Sequence, residues 1–155
     1  RAIDRLAAGY EADPEKRHDL RQEIHLQLWR SLGLYDERCS LKTWTFRIAH
    51  NVAVSYVNRE RRKSATFVTL EDIEQTAPST DAISNLDEKR ALERLSRMIL
   101  TLKPLDRQIM LSYLEEMDAA SIADITGLSP ANVAMKIHRI KNILARDFHQ
   151  ERQHA

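Results

Sequence analysis

Residues 118–144, DAASIADITGLSPANVAMKIHRIKNIL, restrict the possible folds more than any other stretch of the chain. Ile122, Ala123 and Ile125 form a short apolar cluster. Val133, Ile137, Ile140 and Leu144 then recur at the spacing of one face of a longer helix. Between them lies Thr126-Gly127-Leu128-Ser129-Pro130. Gly127 can take the positive φ that ends a helix. Ser129 is a good N-cap and Pro130 suits the first helical position, so a second helix restarts almost at once. Two short helices across a tight glycine turn make a helix-turn-helix, and Ala123 is small where they must cross.

The second of these helices has another face. Asn132, Met135, Lys136, His138, Arg139 and Lys141 lie off the apolar stripe. Lys136 and Lys141 can pair with phosphates, which adds affinity without sequence information. Asn132 and Arg139 can reach base edges, asparagine to adenine and arginine to guanine. The bland alternative is a solvated cationic face on a core helix. The turn chemistry, the small residue at the crossing and the polar N-terminal half agree on DNA recognition.

Composition narrows the remainder. With 155 residues, 43% apolar and 30% charged, the chain has the make-up of an ordered protein of one domain or two small ones. Aromatics are 6%, glycines number 3, and no strand-like alternation of useful length appears, so an all-α protein is expected. No apolar run approaches membrane-spanning length and no signal peptide is visible, which predicts a cytoplasmic protein without membrane insertion. The chain starts at Arg1 rather than Met, so residues upstream are expected. The single cysteine, Cys39, has no internal disulfide partner, which suits a reducing compartment.

Charge is patterned. Residues 1–63 carry +4, residues 64–88 carry −6 with no base among them, and residues 89–155 carry +3. Two basic blocks thus flank one acidic strip, which the net +1 conceals.

In chain order, residues 1–11 read as the end of a helix with Ile3, Leu6, Ala7 and Tyr10 inward, broken by Asp13-Pro14. Residues 16–32 form an amphipathic helix with Leu20, Ile24 and Leu28 as core stripe, helped by Trp29, and Gly33 ends it. Asp19, Glu23, Leu26 and Arg30 make an adjoining stripe, which period alone leaves open as plain surface or docking face. Residues 34–40 are a polar loop. The longest helix, residues 41–63, is expected to bury Leu41, Trp44, Ile48 and Val52. Arg47, Asn51, Asn58 and Arg62 form its polar stripe. Its basic end, Arg59-Glu60-Arg61-Arg62-Lys63, could complement the helix dipole, worth under about 1 kcal/mol. Amides interleaved with arginines beside an aromatic loop favour nucleic acid instead.

Residues 64–85 show no clear period and read as an acidic linker. Ile83 or Leu86 opens the next helix, with Leu92, Leu95, Ile99 and Leu102 as its core face. Lys103-Pro104 breaks the chain. Residues 105–116 follow as a helix with Ile109, Leu111 and Tyr113 among its apolar positions. The tail beyond Phe148 is polar and expected to fray. The organisation is therefore a basic helical domain over 1–63, an acidic linker over 64–85, and a second helical domain over 86–150 that ends in the helix-turn-helix.

The ordered set of local signals resembles the extracytoplasmic-function group of bacterial RNA polymerase sigma factors, within the primary sigma (sigma-70) family. The resemblance rests on Asp19-Leu20-Arg21-Gln22-Glu23-Ile24, Leu28-Trp29, Thr43-Trp44 and Arg47-Ile48-Ala49-His50-Asn51 in the first half. In the second half it rests on Leu105-Asp106-Arg107, Ile122-Ala123, Gly127-Leu128-Ser129, Asn132-Val133 and His138-Arg139-Ile140-Lys141.

The resemblance implies a division of labour. Asp19, Gln22, Glu23 and Leu26 would dock on the β′ clamp of core RNA polymerase. The loop with Arg38 and Ser40 would hold a base flipped from the melted minus-ten element. Lys42, Thr43, Trp44, Arg47, Asn51, Arg59 and Arg62 would track that element along the long helix, although Trp44 also fits a purely core role. The acidic linker would thread into the polymerase cleft, its carboxylates standing in for a polyanion. Asn132, Met135, Lys136, His138, Arg139 and Lys141 would read the minus-thirty-five element in the major groove. Contact with the β flap and control by an anti-sigma factor are also implied, and holding flipped bases would offset an unstacking cost of a few kcal/mol per base.

The sequence departs from the family pattern at three places. Lys16-Arg17-His18-Asp19 stands where an acidic cluster is common, Ala134 and Met135 replace basic or small polar residues, and Ser55 stands where an acid is frequent.

Catalysis finds no support. No glycine-rich phosphate loop occurs, His18 and His25 miss the spacing of a helical metal pair, and one cysteine cannot build a thiolate cluster, so no cofactor or metal is expected. The rival readings are a stand-alone helix-turn-helix regulator, which leaves the first domain without a role, and an interaction adaptor with a sigma-like fold.

Overall fold

A computed structural model of the chain describes residues 1–67 and 86–153, with side-chain environments given for 1–64 and 90–149. The described residues form helices and no strand. The first unit holds α1 (Ala2–Ala8), α2 (Pro14–Ser31) and α3 (Leu41–Phe67), with a short 3-10 turn at Leu32–Leu34. The second holds α4 (Leu86–Thr101), α5 (Pro104–Leu114), α6 (Ala119–Thr126) and α7 (Pro130–Gln153). From residue 68 onward, the stretch read as an acidic linker lies outside the described residues.

Local chemistry sets most boundaries. The Asp13 carboxylate accepts from the amides of Glu15 and Lys16 at 2.9 and 3.0 Å, and Pro14 follows at the first position, so α2 starts two residues before the expected point. Ser40 Oγ accepts from the Thr43 amide at 3.0 Å and starts α3. Asp118 caps α6 by accepting from the Ser121 amide at 2.7 Å. Gly127 takes φ 75°, and its amide closes α6 onto the Ala123 carbonyl. A residue with a Cβ is disfavoured in that left-handed conformation.

Several sequence expectations are corrected. α2 ends at Ser31 and passes into the 3-10 turn that contains Gly33. α3 continues four residues past 63, α5 ends at Leu114 rather than 116, and α7 runs on through Gln153 rather than fraying after Phe148. Trp29 is 77% exposed and supports no core stripe, while Leu20 and Ile24 are fully buried. Leu92 and Tyr113 also face outward, and Met98 is buried in their place.

The largest correction concerns α3. Leu41 is exposed and Trp44, Ile48 and Val52 are only half-buried, whereas Thr43, Phe46, Ala49, His50, Ala53 and Tyr56 are buried. This helix touches α1 and α2 on one side and α5 and α6 on the other. A helix enclosed by two layers buries a broader arc than an amphipathic stripe, and small residues let neighbours approach. The most apolar residues therefore did not mark its inner face. The buried side chains of both units join in one apolar cluster, from Leu6 to Leu144. At its closest point a Cβ on Gly9 would lie 2.5 Å from Leu111 Cδ2, so Gly9 gives α5 room against the first unit.

Burial separates two neighbouring apolar positions of α2. Ile24→Ala should cost about 2–5 kcal/mol in urea unfolding, and Trp29→Ala under about 0.5 kcal/mol. Equal losses would contradict the placement of this helix.

Candidate nucleic-acid and polymerase interface

Beyond the turn after α6, the N-terminal half of α7 has one buried and one exposed side. Val133 and Ile140 seat that helix, with Leu144 also buried. On the opposite side Asn132, Met135, His138, Arg139 and Lys141 are exposed, Met135 by 68%. Lys136 is half-buried and donates to Asp106 at 2.8 Å, and Lys141 lies 5.4 Å from the Tyr113 ring centroid. A cleft of about 620 Å³ opens beside this helix between α4, α5 and α7. Arg94, Arg97, Lys103, Lys136 and Arg139 line it together with Asp106 and Asp147, and Leu102 and Leu105 add apolar lining.

On α2, Asp19, Gln22 and Leu26 are exposed along one strip. Glu23 is half-buried and engaged: Arg59 donates to its two carboxylate oxygens at 3.2 and 2.7 Å. A residue expected to meet polymerase and one expected to meet DNA are thus paired with each other. Exposed pairs of this kind contribute about 0–1 kcal/mol, so either partner can be drawn away by a stronger one.

The expected minus-ten residues divide into two sets. Arg38, Ser40, Asn51 and Arg62 lie on the surface, Arg38 paired with Asp36 at 2.8 Å. Trp44 is half-buried and tilted against Tyr35, centroids 5.4 Å apart, so it both packs and borders the loop. The Tyr35 hydroxyl donates to the Cys39 carbonyl at 2.8 Å and braces that loop. Thr43 is buried, its hydroxyl 2.8 Å from Ser40 Oγ, and presents no free group. Lys42 donates to the Glu115 carbonyl, and Arg47 Nη2 donates to the Asp124 carbonyl at 2.9 Å. These two cations face the second unit.

Sequence reasoning missed the buried polar group behind them. His50 Nδ1 lies 2.9 Å from the Tyr10 hydroxyl, and His50 Nε2 lies 3.0 Å from Ser112 Oγ. A neutral imidazole has one donor and one acceptor, and a hydroxyl can serve as either, so both tautomers are satisfied. Tyr10, His50 and Ser112 come from three different segments. The spacing of Phe46, Ala49 and Ala53 could have placed His50 on the inner face, but nothing in the sequence pairs it with Ser112.

Burial pushes the His50 pKa down to about 3. In the unfolded chain the ring titrates near its ordinary value of about 6.5. The stabilisation from a neutral buried ring is therefore complete above that pH and is lost as pH falls toward 3. Unfolding free energy should drop by about 1 kcal/mol between pH 6.5 and 5.5, and His50→Gln should remove most of that slope. The carboxylates with lowered pKa, Asp13 and Asp118 among them, act below this window. An unchanged slope in the variant would refute the assignment.

Among the described residues no group of three histidine, cysteine or acidic side chains could hold a metal, and no helix is long and apolar enough to cross a membrane.

Comparison with known proteins bears on both units. Residues 1–63 match the family model of Sigma-70 region 2, and residues 92–144 that of Sigma-70, region 4. The chain is 30% identical over 145 residues to the ECF RNA polymerase sigma factor SigK of Mycobacterium sp. (strain KMS), covering 85% of this chain and 72% of that one. It is 24% identical over 141 residues to RNA polymerase sigma factor YlaC of Bacillus subtilis (strain 168), covering 90% and 81%. Among solved structures, the sigma factor RpoE crystallised with the anti-sigma factor NepR from Bartonella quintana matches with a TM-score of 0.75 at 20% identity, covering 94% of this chain and 88% of that one.

Proposed function

Since the chain belongs to the extracytoplasmic-function RNA polymerase sigma factors, we propose a residue-level account of how it serves that role. Members of this family bind core polymerase and direct promoter recognition and initiation, and the bond-making is the polymerase's. The observation that carries the account is the outward face of α7, with Asn132, Met135 and Arg139 exposed on consecutive turns.

In this account α7 enters the major groove at the minus-thirty-five element. Asn132 and Arg139 read base edges, Lys141 holds phosphate, and Lys136, already neutralised by Asp106, contributes less. Asp19, Gln22 and Leu26 form the docking strip for the β′ clamp, and Glu23 joins them once Arg59 turns to DNA. The cleft between α4, α5 and α7 is the concave face offered to the β flap. Arg38 and Ser40 hold the flipped base of the minus-ten element, and Lys42, Trp44, Arg47, Asn51 and Arg62 follow its edge. The domain division at 1–63, 64–85 and 86–150 fits the two matched regions, and cytoplasmic residence fits a protein that works on polymerase. An anti-sigma factor is proposed as a further partner, in parallel with the RpoE–NepR pair. A stand-alone regulator is not favoured, since the match to region 2 gives the first unit a task.

Run-off transcription with purified core polymerase on a promoter library tests this account. New start sites should require the protein. Arg139→Ala should cut initiation at the upstream element about tenfold or more, equivalent to 1–3 kcal/mol for a lost bidentate base contact. Asn51→Ala should weaken opening at the downstream element with upstream binding intact. Lys141→Ala should reduce the salt slope of binding by about 1 without relaxing specificity. Undiminished start-site choice in Arg139→Ala would refute the recognition face.

A further inference from the structure

We infer that the outward face of α7 reads the C5-methyl group of a pyrimidine in the major groove, that of thymine or of 5-methylcytosine, through the side chain of Met135 with Ala131 and Ala134 beside it. This rests on the proposed role of α7 at the minus-thirty-five element, and it names the base chemistry that element must carry.

An apolar strip runs along the middle of that face. An α-helix turns about 100° per residue. Val133, Ile137, Ile140 and Leu144 therefore share one side of α7, where Val133, Ile140 and Leu144 are buried. The line opposite passes through Ala131, Met135, His138 and Asn142, all four exposed. Asn142 Nδ2 and His138 Nε2 lie 3.2 Å apart, so the C-terminal part of that line is a polar pair. Its N-terminal part is apolar, with Ala131 and Met135 on it and the exposed Ala134 beside it. Met135 is 68% exposed, more than any other large apolar side chain among the described residues of the second unit.

Polar and charged groups stand at the flanks. Asn132 and Arg139 lie on one side of the strip, with Lys136 beyond them and held by Asp106 at 2.8 Å. Lys141 lies on the other side, its Nζ 3.4 Å from the Tyr113 hydroxyl. The Ser129 hydroxyl accepts from the Asn132 amide at 3.3 Å and fixes the first turn, which carries Ala131.

This arrangement discriminates among base edges. In the major groove the base pairs differ in donors, acceptors and one apolar group, the C5-methyl of thymine. Cytosine carries a bare C–H at that place, and methylation restores the group. Ala131 and Ala134 are too short to hold the helix off the bases. Met135 is unbranched and polarizable, and can bend to meet a methyl on either side of its own line. Its thioether has no donor and is a weak acceptor, so it leaves the polar edge positions to Asn132 and Arg139. What methionine gains in the groove is the burial of its apolar surface against another apolar group.

The test uses holoenzyme assembled from core polymerase and the full chain, on a promoter taken from the run-off library. Each thymine of the upstream element is replaced in turn by deoxyuridine, which removes the methyl and keeps every hydrogen bond. Each cytosine is replaced in turn by 5-methylcytosine, which adds it. Original and altered templates, with transcripts of different length, compete in one reaction. At one position or two adjacent ones, deoxyuridine should cost about fourfold, or cytosine methylation should gain as much, the factor for burying one methyl group. The first result identifies thymine as the source, the second 5-methylcytosine. Met135→Gln, similar in length but polar, should bring the template ratio to one. Met135→Leu should retain it, and both variants should still depend on Arg139. Ratios of one at every position for the parent, or a ratio unchanged in Met135→Gln, would overturn the methyl reading. A parent that initiates nowhere would overturn the proposed role of α7 and this inference with it. A parent that initiates and depends on Arg139 but ignores every methyl would overturn this inference alone.

Discussion

The enclosure of α3 between two helical layers is the constraint on which the other features rest. Ala49 and Ala53 are fully buried and let neighbouring helices approach, while Phe46 and Tyr56 fill the space on either side of them. His50 sits on the same arc and could remain there only with hydrogen bonds at both ring nitrogens, because an unmet polar group in such a place costs about 1–3 kcal/mol. Tyr10 and Ser112 supply them. That requirement links the position of α5 to the position of α3 and so links the two units.

Cations illustrate how tertiary structure reassigns side chains that look alike in sequence. Lys136, Arg59, Lys42 and Arg47 all read as candidates for phosphate. In the folded chain they are engaged with Asp106, Glu23 and two main-chain carbonyls, while Arg139 stays exposed on the outward face. The pairs at the surface are weak and exchangeable. Those of Lys42 and Arg47 join α3 to the second unit beside the buried Tyr10–His50–Ser112 group, so changing partners there requires a movement of whole helices. The difference separates cations whose partners exchange easily from cations held in place by helix packing.

Much of the architecture was legible from local chemistry. The helix-turn-helix is written in Gly127, Ser129 and Pro130, and its seating in the period of Val133, Ile140 and Leu144, because a left-handed turn, a cap and an apolar stripe are properties of a few neighbouring residues. The same holds for Asp13-Pro14 at the start of α2 and for Lys103-Pro104 before α5. Trp29 and Leu92 were misplaced because hydrophobicity at a helical spacing says that a residue could be buried and nothing about whether a neighbour arrives to cover it. The inner face of α3 was missed for the converse reason: alanines and a histidine are buried there by two neighbours that no local pattern announces.

By itself, the sequence determined the helical class, the turn chemistry, the outward polar face of α7 and the family resemblance, since each depends on residue type and spacing within a short stretch of chain. Only the tertiary structure decided which residues of α3 face inward, which cations are already committed, and that Tyr10, His50 and Ser112 meet. Those outcomes depend on contacts between residues 30 to 77 positions apart, and pairings at that separation are set by how whole helices pack, not by anything the local sequence carries.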